Sequence, residues 1–283
     1  RLGIDIDLDA FDALGRDVPV LVDLKPSGQF YMEDLHRAGG LAPVLRELKD
    51  LLELDALTVT GRTLGEEIDA LPASYPQNVV RPFDDPLYPG GGMAVLRGNL
   101  APDGAVIKQA AADPALLVHE GRAVVFTSLA DMAERMDDPN LDVTENDVLV
   151  LQNAGPIGAP GMPEAGYIPI PKKLAERGVK DMVRISDARM SGTAFGTIIL
   201  HVAPEAAIGG PLGLVRNGDT IRLDVPNRVL ELNVDESELA ERRADWTAPP
   251  PHRGAERGYL NLFLDAVTQA PEGCDFEFLR KRR

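Results

Sequence analysis

Apolar and polar positions along this chain fall into two textures. In the first part, short apolar stretches stand beside helical spacing. "PVLVDL" (19–24) is a continuous apolar run closed by the turn signal "KPSG", which predicts a buried strand. "YMEDLHRAGG" and "LAPVLRELKDLLEL" predict helices. The second places Leu41, Val44, Leu45, Leu48, Leu51 and Leu52 at helical spacing. A strand followed by helices is a piece of an α/β layer, and one strand in roughly 75 residues makes an incomplete domain. "LPASYPQNVVRPFDDPLYPGGG" (71–92) is rich in Pro and Gly and reads as a connection. The division expected is therefore 1–75, a partial α/β segment; 76–92, a linker; and 93–283, a second domain.

Beyond the linker the pattern changes to short strands separated by turns. "GAVIKQA", "GRAVVFTS", "DVLVLQN" (147–153), "VKDMVRIS" and "TIILHVA" are strand-like. "GDTIRLDVPNRVLELNV" alternates about its "PN" turn and predicts a β-hairpin. Ser128, with Asp131 three residues on, marks the start of a helix over "LADMAERM". Asp235, with Glu238, does the same for "DESELAERRADW". "IPKKLAERG" is a short helix closed by Gly178. The fold class that follows is α/β plus β: a partial α/β segment, then a β-barrel-like domain decorated with helices.

Chemistry concentrates between 147 and 196. Strand "DVLVLQN", helix "IPKKLAERG" and strand "VKDMVRIS" make a βαβ-like unit. If its two strands are parallel, the loops that follow them emerge on one edge. Ligands of parallel sheets gather beyond such strand ends. The first loop, "AGPIGAPGMPEAG" (154–166), carries several glycines and one ionisable group, Glu164. The second, within "ISDARMSGTAFG" (185–196), carries Ser186, Asp187, Arg189, Ser191 and Thr193. Oxygen ligands and an arginine suit a hard cation such as Mg²⁺ and a polyol carboxylate. Ordinary turn chemistry also favours Gly, Asp and Ser here, and spacing alone leaves both readings open.

Other templates are absent. No phosphate-binding G-x-x-x-x-G-K-[ST] and no G-x-S-x-G elbow occurs, and "PGGGMAVLRG" does not match a dinucleotide fingerprint. His36, His119, His201 and His252 lack metal-ligand spacing, and His201 in "IILHVAP" reads as a strand residue. The balance of 29 basic against 45 acidic residues gives a net charge of −16. The one basic cluster, the terminal "RKRR", does not make a nucleic-acid face. No apolar run approaches the ~20 residues that cross a bilayer. The opening "RLGIDIDLDAFDALG" does not read as a signal peptide. A single cysteine, Cys274, allows no intramolecular disulfide and points to a reducing cytoplasm.

"PVLVDLKPSG", "GPIGAPGMPE", "RISDARMSGTAFG", "HVAPEAAIGGPLGLVRNGD" and "RGYLNLFLDAVTQAPEGCDFEFL" together resemble the dihydroxy-acid and sugar-acid dehydratase family, in order over nearly the whole chain. "SDARMSGT", "LHVAPE" and "EGCDFEFL" are more similar to the sugar-acid branch, which includes dehydratases of arabonate and xylonate. The branched-chain enzyme typically has a "DGRFSG"-like loop. The resemblance implies β-elimination of water from a 2,3-dihydroxy acid to give a 2-keto-3-deoxy acid. It also implies Mg²⁺ and an iron–sulfur cluster between an α/β domain and a β-barrel domain. Carried onto this chain, Glu164 is a Mg²⁺ ligand and Ser191 the base. Gly192 lets backbone approach the substrate. Asp187 and Arg189 orient the loop by pairing, or touch substrate.

The departures matter equally. The family's cluster cysteines and remaining Mg²⁺ ligands, including a modified lysine, lie in an N-terminal portion with no counterpart here. Cys274 alone cannot hold a cluster. The chain opens at Arg1 and its first residues read as the middle of a domain. It is therefore expected to be the C-terminal half of such an enzyme, inactive alone. Its expected partners are a small sugar-acid substrate and further copies of the full-length protein, as a homodimer or homotetramer, with no nucleic acid and no membrane. Two alternatives stand beside this: a branched-chain dihydroxy-acid dehydratase, and a non-catalytic β-barrel binding or assembly module.

Overall fold

The computed structural model describes residues 6–72 and 76–279. The "RKRR" run and residues 73–75 of the expected connection lie outside the described residues. The chain divides into two compact units: Leu14–Gly92, and a unit joining the segment up to Ala13 with that from Met93 onward.

Helix α1 (Leu8–Arg16) opens the described chain. In the Leu14–Gly92 unit, the predicted strand at 19–24 forms isolated bridges instead: Val20 with Tyr88, Val22 with Val80 and Leu24 with Phe30. Its partners come from three separate segments, so no ladder propagates. Leu21 and Asp23 are nevertheless buried, as a strand interior would be. Helices α2 (Met32–Arg37) and α3 (Leu41–Glu47) follow as predicted, but α3 passes into a 3₁₀ turn at Lys49–Leu51. Leu41 and Leu51 of the predicted stripe are exposed, so little packing is available there to extend the helix. Helix α4 (Leu64–Asp69) was not anticipated, although its signal is present. Thr63 Oγ1 accepts from the Glu66 N–H (3.2 Å) and Glu66 Oε2 accepts from the Thr63 N–H (2.8 Å), a complete capping box.

The other unit is built on eight strands: β1 (Ala94–Gly98), β2 (Ala101–Ile107), β3 (Val118–Phe126), β4 (Val148–Leu151), β5 (Arg184–Ser186), β6 (Ile198–Ala203), β7 (Thr220–Asp224) and β8 (Val229–Asn233). They close into a barrel in the order β1-β2-β6-β5-β4-β3-β7-β8. Strands β3, β4, β5 and β6 pair in parallel, and β7 and β8 form the predicted antiparallel hairpin. Closure comes from a single parallel pairing of Arg97 in β1 with Val229 in β8.

Alternation sorts the core. Ala123 and Val125 of β3 and Val148 and Val150 of β4 join one cluster with Leu96, Ile107, Ile199, Ile221 and Leu230. Val124, Phe126, Leu149 and Leu151, on the opposite faces, pack in a second cluster with Met136, Ile168 and Leu174. Helices α5 (Leu129–Arg135) and α6 (Lys172–Ala175) contribute to that outer layer. With both faces covered, β4 is buried at every position, hence its unbroken apolar run. Ser128 caps α5 as predicted, accepting from the Asp131 N–H at 3.1 Å. Helix α7 (Glu236–Asp245) follows Asp235, but Asp235 makes no side-chain cap bond. Glu238, the expected partner, is drawn instead to Arg242 Nε at 3.0 Å. Helix α8 (Gly258–Ala266) is followed by two short 3₁₀ turns, Ala270–Glu272 and Glu277–Leu279.

Candidate active site

Parallel pairing brings the C-terminal ends of β3, β4, β5 and β6 to one rim of the barrel. The condition set by the sequence, that β4 and β5 run parallel, is met. The loop after β4 and the loop after β5 are then joined by four contacts. The Ala154 N–H donates to Asp187 Oδ1 (2.9 Å) and the Gly166 N–H to the Arg189 carbonyl (2.8 Å). Arg189 Nε donates to the Met162 carbonyl (2.6 Å) and Nη1 to Glu164 Oε1 (2.9 Å). Gly166 is required by this approach: a Cβ there would lie 2.2 Å from Leu200 Cδ2 and 2.9 Å from the Arg189 carbonyl.

The backbone around these loops is strained. Asn153, Met162 and Ile168 after β4, and His201 in β6, all have left-handed φ values, between 36° and 58°. For a β-branched residue such as Ile168 this is costly, and such strain concentrates where a site is held in one conformation.

Asp187 and Arg189 do not pair with each other. The Asp187 carboxylate is 1% exposed and bridges two loops, accepting from the Ala154 N–H through Oδ1 and the Ala206 N–H through Oδ2, each at 2.9 Å. Burial pushes its pKa up to about 7; the two amides oppose the shift and the nearby Glu205 carboxylate adds to it. Arg189 is half exposed and pairs with Glu164, itself half exposed.

Ser186 is fully buried and its Oγ accepts from the Ala188 N–H (3.0 Å), a turn-forming role. Ser191 Oγ lies 3.0 Å from Thr193 Oγ1. Around Gly192 there is open space, for an added Cβ would meet nothing within 4 Å.

Two residues at this site were not singled out from the sequence. Glu205, just after β6, is 1% exposed, and its carboxylate accepts from the Ile157 N–H and the Gly158 N–H at 3.0 Å and from Gln269 Nε2 at 2.7 Å. It secures the loop after β4 as Asp187 does. Lys108, just after β2, donates from Nζ to the carbonyls of Gly192 (2.7 Å) and Ala194 (3.1 Å). Both follow apolar runs directly, in "LHVAPE" and "VIKQA", which is the signal that could have found them. His201 does lie within a strand. Its backbone N–H donates to the Ala188 carbonyl (3.1 Å), and burial, with the Arg189 charge second, lowers its pKa.

A sequence profile described as the C-terminal part of dihydroxy-acid/6-phosphogluconate dehydratases matches residues 78–274, and the corresponding N-terminal profile matches residues 1–67. The chain belongs to this dehydratase family. The chain is 50% identical over 282 residues to the L-arabinonate dehydratase of Rhizobium leguminosarum bv. trifolii, covering 99% of this chain and 48% of that protein. It is 49% identical over 283 residues to the 6-deoxy-6-sulfo-D-gluconate dehydratase of Pseudomonas putida, covering 99% and 48%. It is 43% identical over 275 residues to the dihydroxy-acid dehydratase of Methanothrix thermoacetophila, covering 95% and 49%. The chain thus spans about half the length of the curated relatives it matches.

Among the described residues of this dehydratase chain, no three His, Cys, Asp or Glu side chains gather to hold a metal. Glu164 suits one place in a Mg²⁺ shell. It is accessible, and its Oε2 takes no bond among the described residues while Oε1 holds Arg189. The residues here do not fit an iron–sulfur cluster, which needs several thiolates. Cys274 is the only cysteine, and burial, with Glu205 second, raises its pKa away from thiolate character. No helix among the described residues is long and apolar enough to cross a membrane.

Proposed function

We propose that the complete protein dehydrates a sugar acid, a pentonate such as arabonate or xylonate, to the 2-keto-3-deoxy acid, with this chain supplying the base and one metal ligand. The observation that carries this is the joining of Glu164 and Ser191 loops on one barrel rim through Arg189. The names of the relatives from Rhizobium leguminosarum and Pseudomonas putida, both sugar-acid dehydratases, support the substrate class.

In this reading Ser191 Oγ takes the C2 proton of the substrate. The C2–H electron pair becomes the C2=C3 bond and the C3–O bond breaks. The departing hydroxide takes the abstracted proton back from Ser191 Oγ and leaves as water, which returns the serine to its starting state. The resulting enol then tautomerises to the 2-keto acid. A neutral serine is a poor base, so its alkoxide has to be stabilised by nearby donors or charge. Glu164 would hold Mg²⁺, which when bound supplies Lewis acidity for the substrate oxygens. The cluster ligands belong outside these 283 residues. Arg189 holds Glu164 in place, Asp187 ties the loop after β5 to the loop after β4, and Glu205 ties the loop after β4 to the segment after β6. A cytoplasmic homodimer or homotetramer of the full-length protein completes the proposal.

The test is a substrate panel on the full-length protein containing this chain: arabonate, xylonate and a branched-chain 2,3-dihydroxy acid. Pentonate turnover is expected, with Ser191→Ala lowering kcat by about 10²-fold or more and Glu164→Gln raising the Mg²⁺ concentration needed for half-maximal rate. Preference for the branched-chain acid would reassign the substrate. No dehydration in any arm, or unchanged kcat in Ser191→Ala, would remove the catalytic assignment.

A further inference from the structure

Lys108, the residue after β2, reaches into the turn carrying Ser191. Its Nζ bonds are to two backbone carbonyls of that turn, Gly192 at 2.7 Å and Ala194 at 3.1 Å. Burial lowers its pKa, and among the described residues it makes no ion pair. A lysine serving a surface salt bridge would look different.

What these bonds do follows from peptide geometry. In a trans peptide the C=O of one residue and the N–H of the next point in opposite directions. Turning the Gly192 carbonyl toward Lys108 therefore turns the Thr193 N–H away from it. That N–H lies 3.5 Å from Ser191 Oγ, and Thr193 Oγ1 is 3.0 Å from the same oxygen. The Ala194 N–H donates to the Ser191 carbonyl at 3.1 Å and closes the turn. Ser191 Oγ thus has one N–H donor, that of Thr193, beside a hydroxyl able to donate or accept. Both bonds would turn toward that oxygen and shorten if it became negative.

We propose that Lys108 is a positioning residue that locks the Gly192–Thr193 peptide, so that the Thr193 amide and hydroxyl face Ser191 Oγ and stabilise it as the base. This rests on the assignment of Ser191 above. In this role Lys108 acts through the peptide plane, by way of its bonds to the Gly192 and Ala194 carbonyls. Without it the peptide is free to rotate, and one donor to the serine oxygen is lost.

The experiment compares Lys108→Met, Lys108→Arg and Ser191→Ala in the full-length protein by steady-state kinetics. Lys108→Met is expected to lower kcat by about 10²-fold, the low end of the loss of one donor to a developing oxyanion, with KM within about twofold. Lys108→Arg retains several N–H donors and is expected to recover most of that loss. Amide exchange of the 191–196 peptide, measured by mass spectrometry, is expected to be faster in Lys108→Met, and its thermal midpoint serves as the folding control. If Lys108→Met does not fold, Lys108→Gln, with an amide donor, takes its place. An inactive Ser191→Ala with wild-type kcat in Lys108→Met overturns the role of Lys108 alone. A loss confined to KM, or no recovery in Lys108→Arg, does the same. An active Ser191→Ala overturns the catalytic assignment and this inference with it.

Discussion

Asp187 meets two opposed demands. Two backbone amides ask it to be a carboxylate, while complete burial and the neighbouring Glu205 favour the neutral acid. Burial prevails, so the folded chain keeps this proton up to about pH 7, whereas the group ordinarily releases it near 3.8. Between those values the folded state binds more protons than the unfolded one. Asp187's contribution to stability is therefore present at acid pH and falls as pH rises to 7, by at most about 1.4 kcal/mol per pH unit. Urea unfolding of wild type and Asp187→Asn across pH 4–8 isolates it. The advantage of wild type is expected to shrink from pH 4 to 7 and to stay level above. The asparagine amide nitrogen cannot accept, so one of the two loop amides loses its partner, at about 1–3 kcal/mol. A difference independent of pH would show that Asp187 is ionised throughout.

At the scale of elements, the site depends on a short strand and a close approach. β5 has only Arg184, Ile185 and Ser186 before the chain leaves the sheet. Arg184, 1% exposed, pairs with Asp181 (2.6 Å) and donates to the carbonyls of Tyr167 and Ile168, anchoring the far end of the loop after β4. The near end depends on Gly166. Gly166→Ala is expected to push the loop off Arg189 and Leu200, costing about 1–3 kcal/mol and lowering activity of the full-length protein, while the β7–β8 hairpin stays intact. Thermal unfolding and amide exchange of 160–168 and 187–191 check this. Unchanged exchange in both peptides would show that the loops do not depend on each other. The alternating hairpin and the apolar runs of β3, β4 and β6 were legible because their signal is local. β1 carries no such signal, since "AVLRG" follows a glycine run that reads as loop. α3 is shorter than its apolar spacing predicts because that spacing says nothing about what is available to pack on it.

For the whole molecule, composition bears on the cofactor. With Cys274 as the only thiol, reconstitution of the 283-residue chain with iron and sulfide is expected to give no cluster absorption and no pentonate turnover. A stoichiometric cluster, read by visible absorption and iron content, would contradict this. The acidic balance, by contrast, acts on solubility and association and carries no fold information.

The sequence by itself determined the local pieces: strand and helix periodicity, the Ser128 cap, the "PN" hairpin, and the ordered motifs that mark the dehydratase family. It also placed Glu164 and Ser191 on two loops, with their meeting conditional on parallel strands. Only the tertiary structure decided that these loops meet and what joins them. Barrel closure through Arg97 and Val229, the Asp187 bridge to Ala154 and Ala206, the Glu205 clasp on Ile157 and Gly158, and the reach of Lys108 to Gly192 all link residues far apart in the chain. Periodicity and turn chemistry act over a few neighbouring residues. Which distant backbone amide a buried carboxylate finds is settled by packing the whole barrel, where a burial cost at one residue is offset by bonds from others.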